Sequence, residues 1–212
     1  MAKLPAPMPP ESGGSIPWPE DGVTEAIQPQ HSDVRIQVFS GGRVPKLGHN
    51  HVLTVPRLQG RVWTQERGRT DGARFELSFR LDELEIDRPE LRAAMGPAFA
   101  SVLDAEAVAG TRAHMLGPDN LEADRFPLVR MRSIRVTGQA PQMSAEIEIE
   151  LHGQRRRQAV ALEARRDANA WAVRGAFRLR QSDYGITPYA VLGGLLAVQD
   201  ELSIDFTLST RQ

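Results

Sequence analysis

The sequence offers few residues whose type and spacing suit chemistry, and the sharpest group is His49-Asn50-His51. On a strand, residues two apart point to the same side, so two imidazoles would share one face. With His114 or a carboxylate as third ligand, His49 and His51 would suit a divalent metal. The same histidines would equally serve to hydrogen-bond a turn or fill a polar corner. Asp82, Glu83, Glu85 and Asp87 form an acidic cluster between an alternating segment and an alanine-rich one. The simpler reading of these acids is solvation, with Asp87 near a helix start where negative charge is favoured. Gln154-Arg155-Arg156-Arg157 is a basic run facing Glu146, Glu148 and Glu150 across an expected hairpin, which predicts cross-strand charge pairing. No aromatics interleave with these arginines, so the run does not suggest a nucleic-acid partner. The sequence has no Gly-x-Ser-x-Gly elbow, no glycine-rich phosphate loop and no His-Glu-x-x-His. The expectation is therefore a protein that is not an enzyme and needs no cofactor.

These residues must be positioned by strands. Val34, Ile36 and Val38 alternate with polar residues, as do Phe75, Leu77, Phe79 and Leu81. The same period of two runs through Val129-Met131-Ser133, Ile147-Ile149-Leu151, Val160-Leu162, Trp171-Val173 with Phe177-Leu179, and Leu202-Ile204-Phe206-Leu208. Each run reads as a strand with one apolar and one wet face. Stretches near Leu53–Val55 and Arg61–Gln65 bring the total to about eight or nine strands. Turn signals lie at Gly41-Gly42, Gly68 to Gly72, His152-Gly153 and Asp167 to Asn169. One-faced antiparallel strands must bury their common face, as a barrel or a sandwich.

Two segments break the pattern. Residues 88–116 are alanine-rich and predict a helical insertion interrupted at Gly96-Pro97. Residues 186–199 are apolar, and read as a loop or short helix over one barrel end, or as a lid hinged at Gly193-Gly194. Residues 1–30 are rich in Pro, Gly and Ser, carry few large apolar side chains with Trp18 the exception, and predict a flexible tail ahead of a domain at 31–212. Prolines at 5, 7, 9 and 10 interrupt any secretory leader, and no window reaches the ~18–20 apolar residues of a membrane-spanning helix. The expectation is a soluble, cytoplasmic protein. With 26 Lys and Arg against 27 Asp and Glu, and no cysteine, the composition points to no nucleic acid or anionic membrane surface and excludes disulfide and thiolate chemistry.

Three stretches carry a resemblance to the YceI-like family. They are His114-Met115-Leu116-Gly117 running into Asp119 to Pro127; the strand Val129-Arg130-Met131-Arg132-Ser133; and Phe177-Arg178-Leu179-Arg180-Gln181-Ser182-Asp183-Tyr184-Gly185-Ile186. The resemblance spans about residues 32–210. Met131 and Leu121 stand where the family usually has phenylalanine, and Gln181 where it has arginine. The resemblance implies an all-β, lipocalin-like antiparallel barrel of about eight strands, holding a long-chain isoprenoid or other lipid inside. It also admits a periplasmic location.

Alternation places Phe75, Leu77, Phe79, Val129, Met131, Val173, Phe177 and Phe206 inward as ligand contacts, with Tyr184 and Tyr189 offering hydroxyls at the mouth. Three functions stand open: a lipid carrier, a metal protein built on His49, His51 and His114, and an interaction module with a packed barrel. A homodimer is one assembly the sequence permits.

Overall fold

The computed structural model describes residues 18–167 and 170–211. Twelve strands and two helices appear among them. The strands are β1 (Val23–Ile27), β2 (Asp33–Gly41), β3 (His51–Thr54), β4 (Gln59–Thr64), β5 (Arg74–Arg80), β6 (Glu85–Ile86), β7 (Leu128–Gln139), β8 (Gln142–Leu151), β9 (Gln154–Asp167), β10 (Ala170–Arg180), β11 (Ala190–Val191) and β12 (Leu196–Arg211). The helices are α1 (Pro89–Ala94) and α2 (Ala105–Leu116).

Eight strands close into an antiparallel ring in the order β1-β4-β5-β7-β8-β9-β10-β12, and β12 returns to β1. The strand β12 is the seam. One edge pairs with β10 from Ala172↔Ser209 to Arg180↔Glu201. The other edge pairs first with β2, from Ala197↔Gly41 to Thr207↔Asp33, and then with β1 at Ile27↔Thr210 and Ala26↔Arg211. Closure leaves the ring without an open edge, which suits strands carrying one common apolar face. The β8–β9 connection is the tight hairpin expected at His152-Gly153. Both residues have positive φ, at 50° and 70°, as a two-residue hairpin turn requires.

Two expectations shift. Of the segment 1–30, the described residues 18–30 pack with the domain. Trp18 lies 4.1 Å from the Arg61 guanidinium, and Val23–Ile27 forms a barrel strand. That strand was hidden because Glu25 occupies a buried position, where alternation predicts an apolar residue. Residues 1–17 of the expected tail lie outside the described residues, as do 168 and 169 of the turn after Asp167. The segment 186–199 is neither a plain loop nor a helix over the barrel end. It forms the short strand β11, a 3-10 turn at Leu192–Gly194 and the first residues of β12. The helical insertion is present as two helices separated by a 3-10 turn at Pro97–Phe99, with Gly96 at φ 81° making the break.

The outer wall carries charge. Glu148 on β8 accepts from Arg132 on β7 at 2.6 Å and from Arg157 on β9 at 3.2 Å, and Glu150 pairs with Arg130 and Arg155. The expected pairing across the Gly153 hairpin is thus in place. With charges outside and aliphatic side chains inside, the wall is the reverse of a membrane-spanning barrel, whose outer band is apolar. No helix among the described residues is long and apolar enough to cross a membrane.

The seam is sealed by a buried polar cluster. Glu25, only 4% exposed, accepts from the Thr210 hydroxyl and from Arg166 at 3.1 Å. Thr210 in turn accepts the Trp171 amide at 3.0 Å, and the Arg166 guanidinium lies 5.1 Å from the Trp171 ring. Removing one partner of a buried ion pair strands the other charge away from water. Glu25→Ala is therefore expected to cost about 3 kcal/mol in urea unfolding. Glu201→Ala, which breaks the exposed pair with Arg178, is expected to cost less than about 1 kcal/mol.

Candidate functional site: an apolar lumen with one open end

The inward side chains do not fill the ring. They leave an internal cavity of about 400 Å³. That is within the ~300–1,000 Å³ of pockets that take up small-molecule ligands. A packed-barrel scaffold would have a filled interior, so the cavity runs against that alternative.

Nine of the ten residues expected at the site line this space. Phe75, Leu77 and Phe79 come from β5, and Val129 and Met131 from β7. Val173 and Phe177 project from β10 and Phe206 from β12. Tyr189 lies in the lining just ahead of β11 and is 39% exposed. Tyr184 is the correction. It does not line the cavity but is packed into the core at 3% exposure, in the 3-10 turn after β10. Burial pushes its phenol up to about 12. Tyr184 was expected at the mouth for its apolar body and polar tip, but the 3-10 turn Gln181–Tyr184 turns its side chain into the core instead.

The two ends of the lumen differ. At the end near the seam cluster, Thr64, Thr70, Ala164, Trp171 and Thr210 are all buried and close it. At the opposite end the lining comes from His51, from Thr111, His114 and Met115 of α2, and from Asn120, Gln181 and Tyr189. His114 and Tyr189 are exposed there, with ring centroids 4.9 Å apart, and they frame the mouth. The alternation rule found the side walls. It had no means of finding this rim, which is assembled from a helix, a loop and a 3-10 turn.

The three histidines weighed as a metal site are not brought together as ligands. His49 is exposed and precedes β3, so the shared strand face assumed for it and His51 does not exist. His114 lies tilted against the Tyr189 ring, and His51 is committed to Asp87. Among the described residues, no group of three or more His, Asp or Glu side chains is arranged to hold a metal ion.

The surprise at the mouth is Asp87. Asp82 pairs with Arg80, Glu83 with Arg57 and Glu85 with Arg88, all as surface acids. Asp87 instead turns inward, with φ 55° and a side chain that has no exposure. It receives His51 Nδ1 at 2.6 Å, Arg92 Nη1 at 2.6 Å and the Val52 amide at 3.0 Å. Arg92 also donates to the Asn50 carbonyl and to Ser101. Burial pushes the Asp87 carboxyl up, but hydrogen bonds from His51, Val52 and Arg92 outweigh it and hold the group below its ordinary value of 3.8. The sequence placed Asp87 correctly beside a helix start. Its tie to His51, 36 residues away, was invisible there.

A family model described as the YceI-like domain matches residues 26–210. The chain belongs to the YceI-like family. Among solved structures, this YceI-like chain is similar to Burkholderia cenocepacia BcnA, with a TM-score of 0.63 at 10% identity, covering 86% of this chain and 98% of that one. It is also similar to the Campylobacter jejuni YceI protein, with a TM-score of 0.53 at 7% identity, covering 76% and 84%. At these identities the likeness establishes the barrel fold. No curated protein matches the sequence.

Because Asp87 is more acidic folded than unfolded, it stabilises the fold fully above its unfolded value. That contribution is lost as pH falls below about 4 and through the folded value. Thermal melts between pH 7 and pH 3 are expected to show a smaller acid-induced loss for Asp87→Asn than for the parent, from a lower starting stability.

Proposed function

We propose that this YceI-like protein is a non-enzymatic carrier or sequestering protein for a long-chain isoprenoid or another amphiphilic lipid, held in the barrel lumen. The observation that carries this reading is the cavity itself: about 400 Å³, walled by aliphatic and aromatic side chains, closed at one end and open at the other. An apolar chain gains ~0.8 kcal/mol for each CH₂ it buries. A ligand inserted tail-first would bury its chain among Phe75, Leu77, Met131 and Phe206 and leave its polar end at the rim of His51, His114 and Tyr189. Such binding needs length and dryness more than specific polar contacts. That fits a sequence without a catalytic motif, and it agrees with the ligand class that the family resemblance implies.

Organic extraction of freshly purified protein, followed by mass spectrometry, tests the proposal. A lipid of defined mass in near-stoichiometric amount is expected. Recovery of no lipid, together with no uptake of N-phenyl-1-naphthylamine by the purified protein, would overturn it. Met131→Trp, which fills the lumen at mid-wall, is expected to weaken uptake of that dye at least about tenfold while far-UV circular dichroism stays unchanged. Overpacking of this kind costs ~1–3 kcal/mol, within the margin of a stable domain.

A further inference from the structure

The lumen lining holds few polar groups, and most are already spent. Asn120 donates to the Thr187 carbonyl, Gln181 to Gln199 and Thr111 to Ala107. At the closed end Thr70 bonds Gly138 and Thr210 bonds Glu25. His51 is different. One ring nitrogen is anchored, while Nε2 has no hydrogen-bond partner among the described residues and belongs to a side chain that lines the cavity.

The anchor decides what Nε2 can do. The Asp87 carboxylate faces Arg92 and the Val52 amide as well as His51, so it acts as an acceptor on every side. His51 must then donate from Nδ1. In a neutral imidazole with the proton on Nδ1, Nε2 carries a lone pair and can only accept. The ring is also held in place. Its side chain is 15% exposed, Asp87 is fully enclosed, and Arg92 is pinned by Asn50 and Ser101.

We infer that His51 is the head-group contact of the lumen ligand, and that its neutral ring selects a head group able to donate a hydrogen bond, such as an alcohol or phenol, over one that only accepts. This rests on the reading of the lumen as a lipid site and adds a chemical class to it. Asp87 is the positioning residue, since it fixes which nitrogen holds the proton. Arg92 keeps Asp87 charged and oriented.

Geranylgeraniol and its methyl ether share one chain and differ in the hydroxyl proton. Displacement of N-phenyl-1-naphthylamine by each, with wild type, His51→Leu and Asp87→Asn, tests the inference. Wild type is expected to bind the alcohol about 3–10-fold more tightly, the range of one neutral hydrogen bond. His51→Leu is expected to bind both equally. Asp87→Asn presents an amide that can donate to Nδ1. Its alcohol preference is expected to vanish or reverse, and the ¹⁵N shifts of the His51 ring, which report the tautomer directly, are expected to move the proton to Nε2.

Equal binding of the two probes by wild type, or an alcohol preference that survives His51→Leu, would overturn the inference and leave the lipid-carrier reading standing. Entry of neither probe, with the dye also excluded, would overturn both. Should Asp87→Asn fail to fold, the wild-type and His51→Leu comparison still decides.

Discussion

The structure depends on one pairing, the return of β12 to β1 at Ile27↔Thr210 and Ala26↔Arg211. Strands with a single apolar face can hide it by stacking two sheets or by curling one sheet on itself. Here the last strand is long enough to meet β10 on one edge and both β2 and β1 on the other. Once it does, the eight-strand ring has no open edge, the β2-β3-β6 branch continues from β12 outside it, and the ring's inward side chains face the same central space. The cluster of Glu25, Arg166 and Thr210 sits at that junction, so a buried ion pair lies where the ring must close.

Closure also sets the interior. Eight strands give a lumen only about as wide as its side chains or one slim ligand. In this chain the inward residues do not meet across it, and a cavity remains. The outer face carries charge ladders such as Arg132–Glu148–Arg157, while the inner face is almost wholly apolar. The His51–Asp87–Arg92 chain lies at the same end as His114 and Tyr189 and joins the helical insertion to the lumen.

Much of this was legible from residue order. Inward Phe75, Leu77, Phe79, Phe177 and Phe206 follow from a period of two, because a strand gives each side chain only two directions. The Glu148 and Glu150 pairings follow from the short hairpin at His152-Gly153, which sets the register across it. The legible part ends where direction ceases to be periodic. Tyr184 sits in a 3-10 turn and points into the core, and β1 carries an acid at a buried position. Asp87 looks like its three acidic neighbours until the fold encloses it.

The sequence by itself determined the strand pattern, the charged exterior, the helical interruption and, through its short motifs, the family. These are local or nearest-neighbour properties. Only the tertiary structure decided that the wall closes through β1, that the interior stays open, that one end is sealed, and that Asp87 orients His51 while His49 and His114 stand apart. Each of those depends on residues distant in the chain meeting at a defined distance and angle. Alternation and composition carry no information about such meetings.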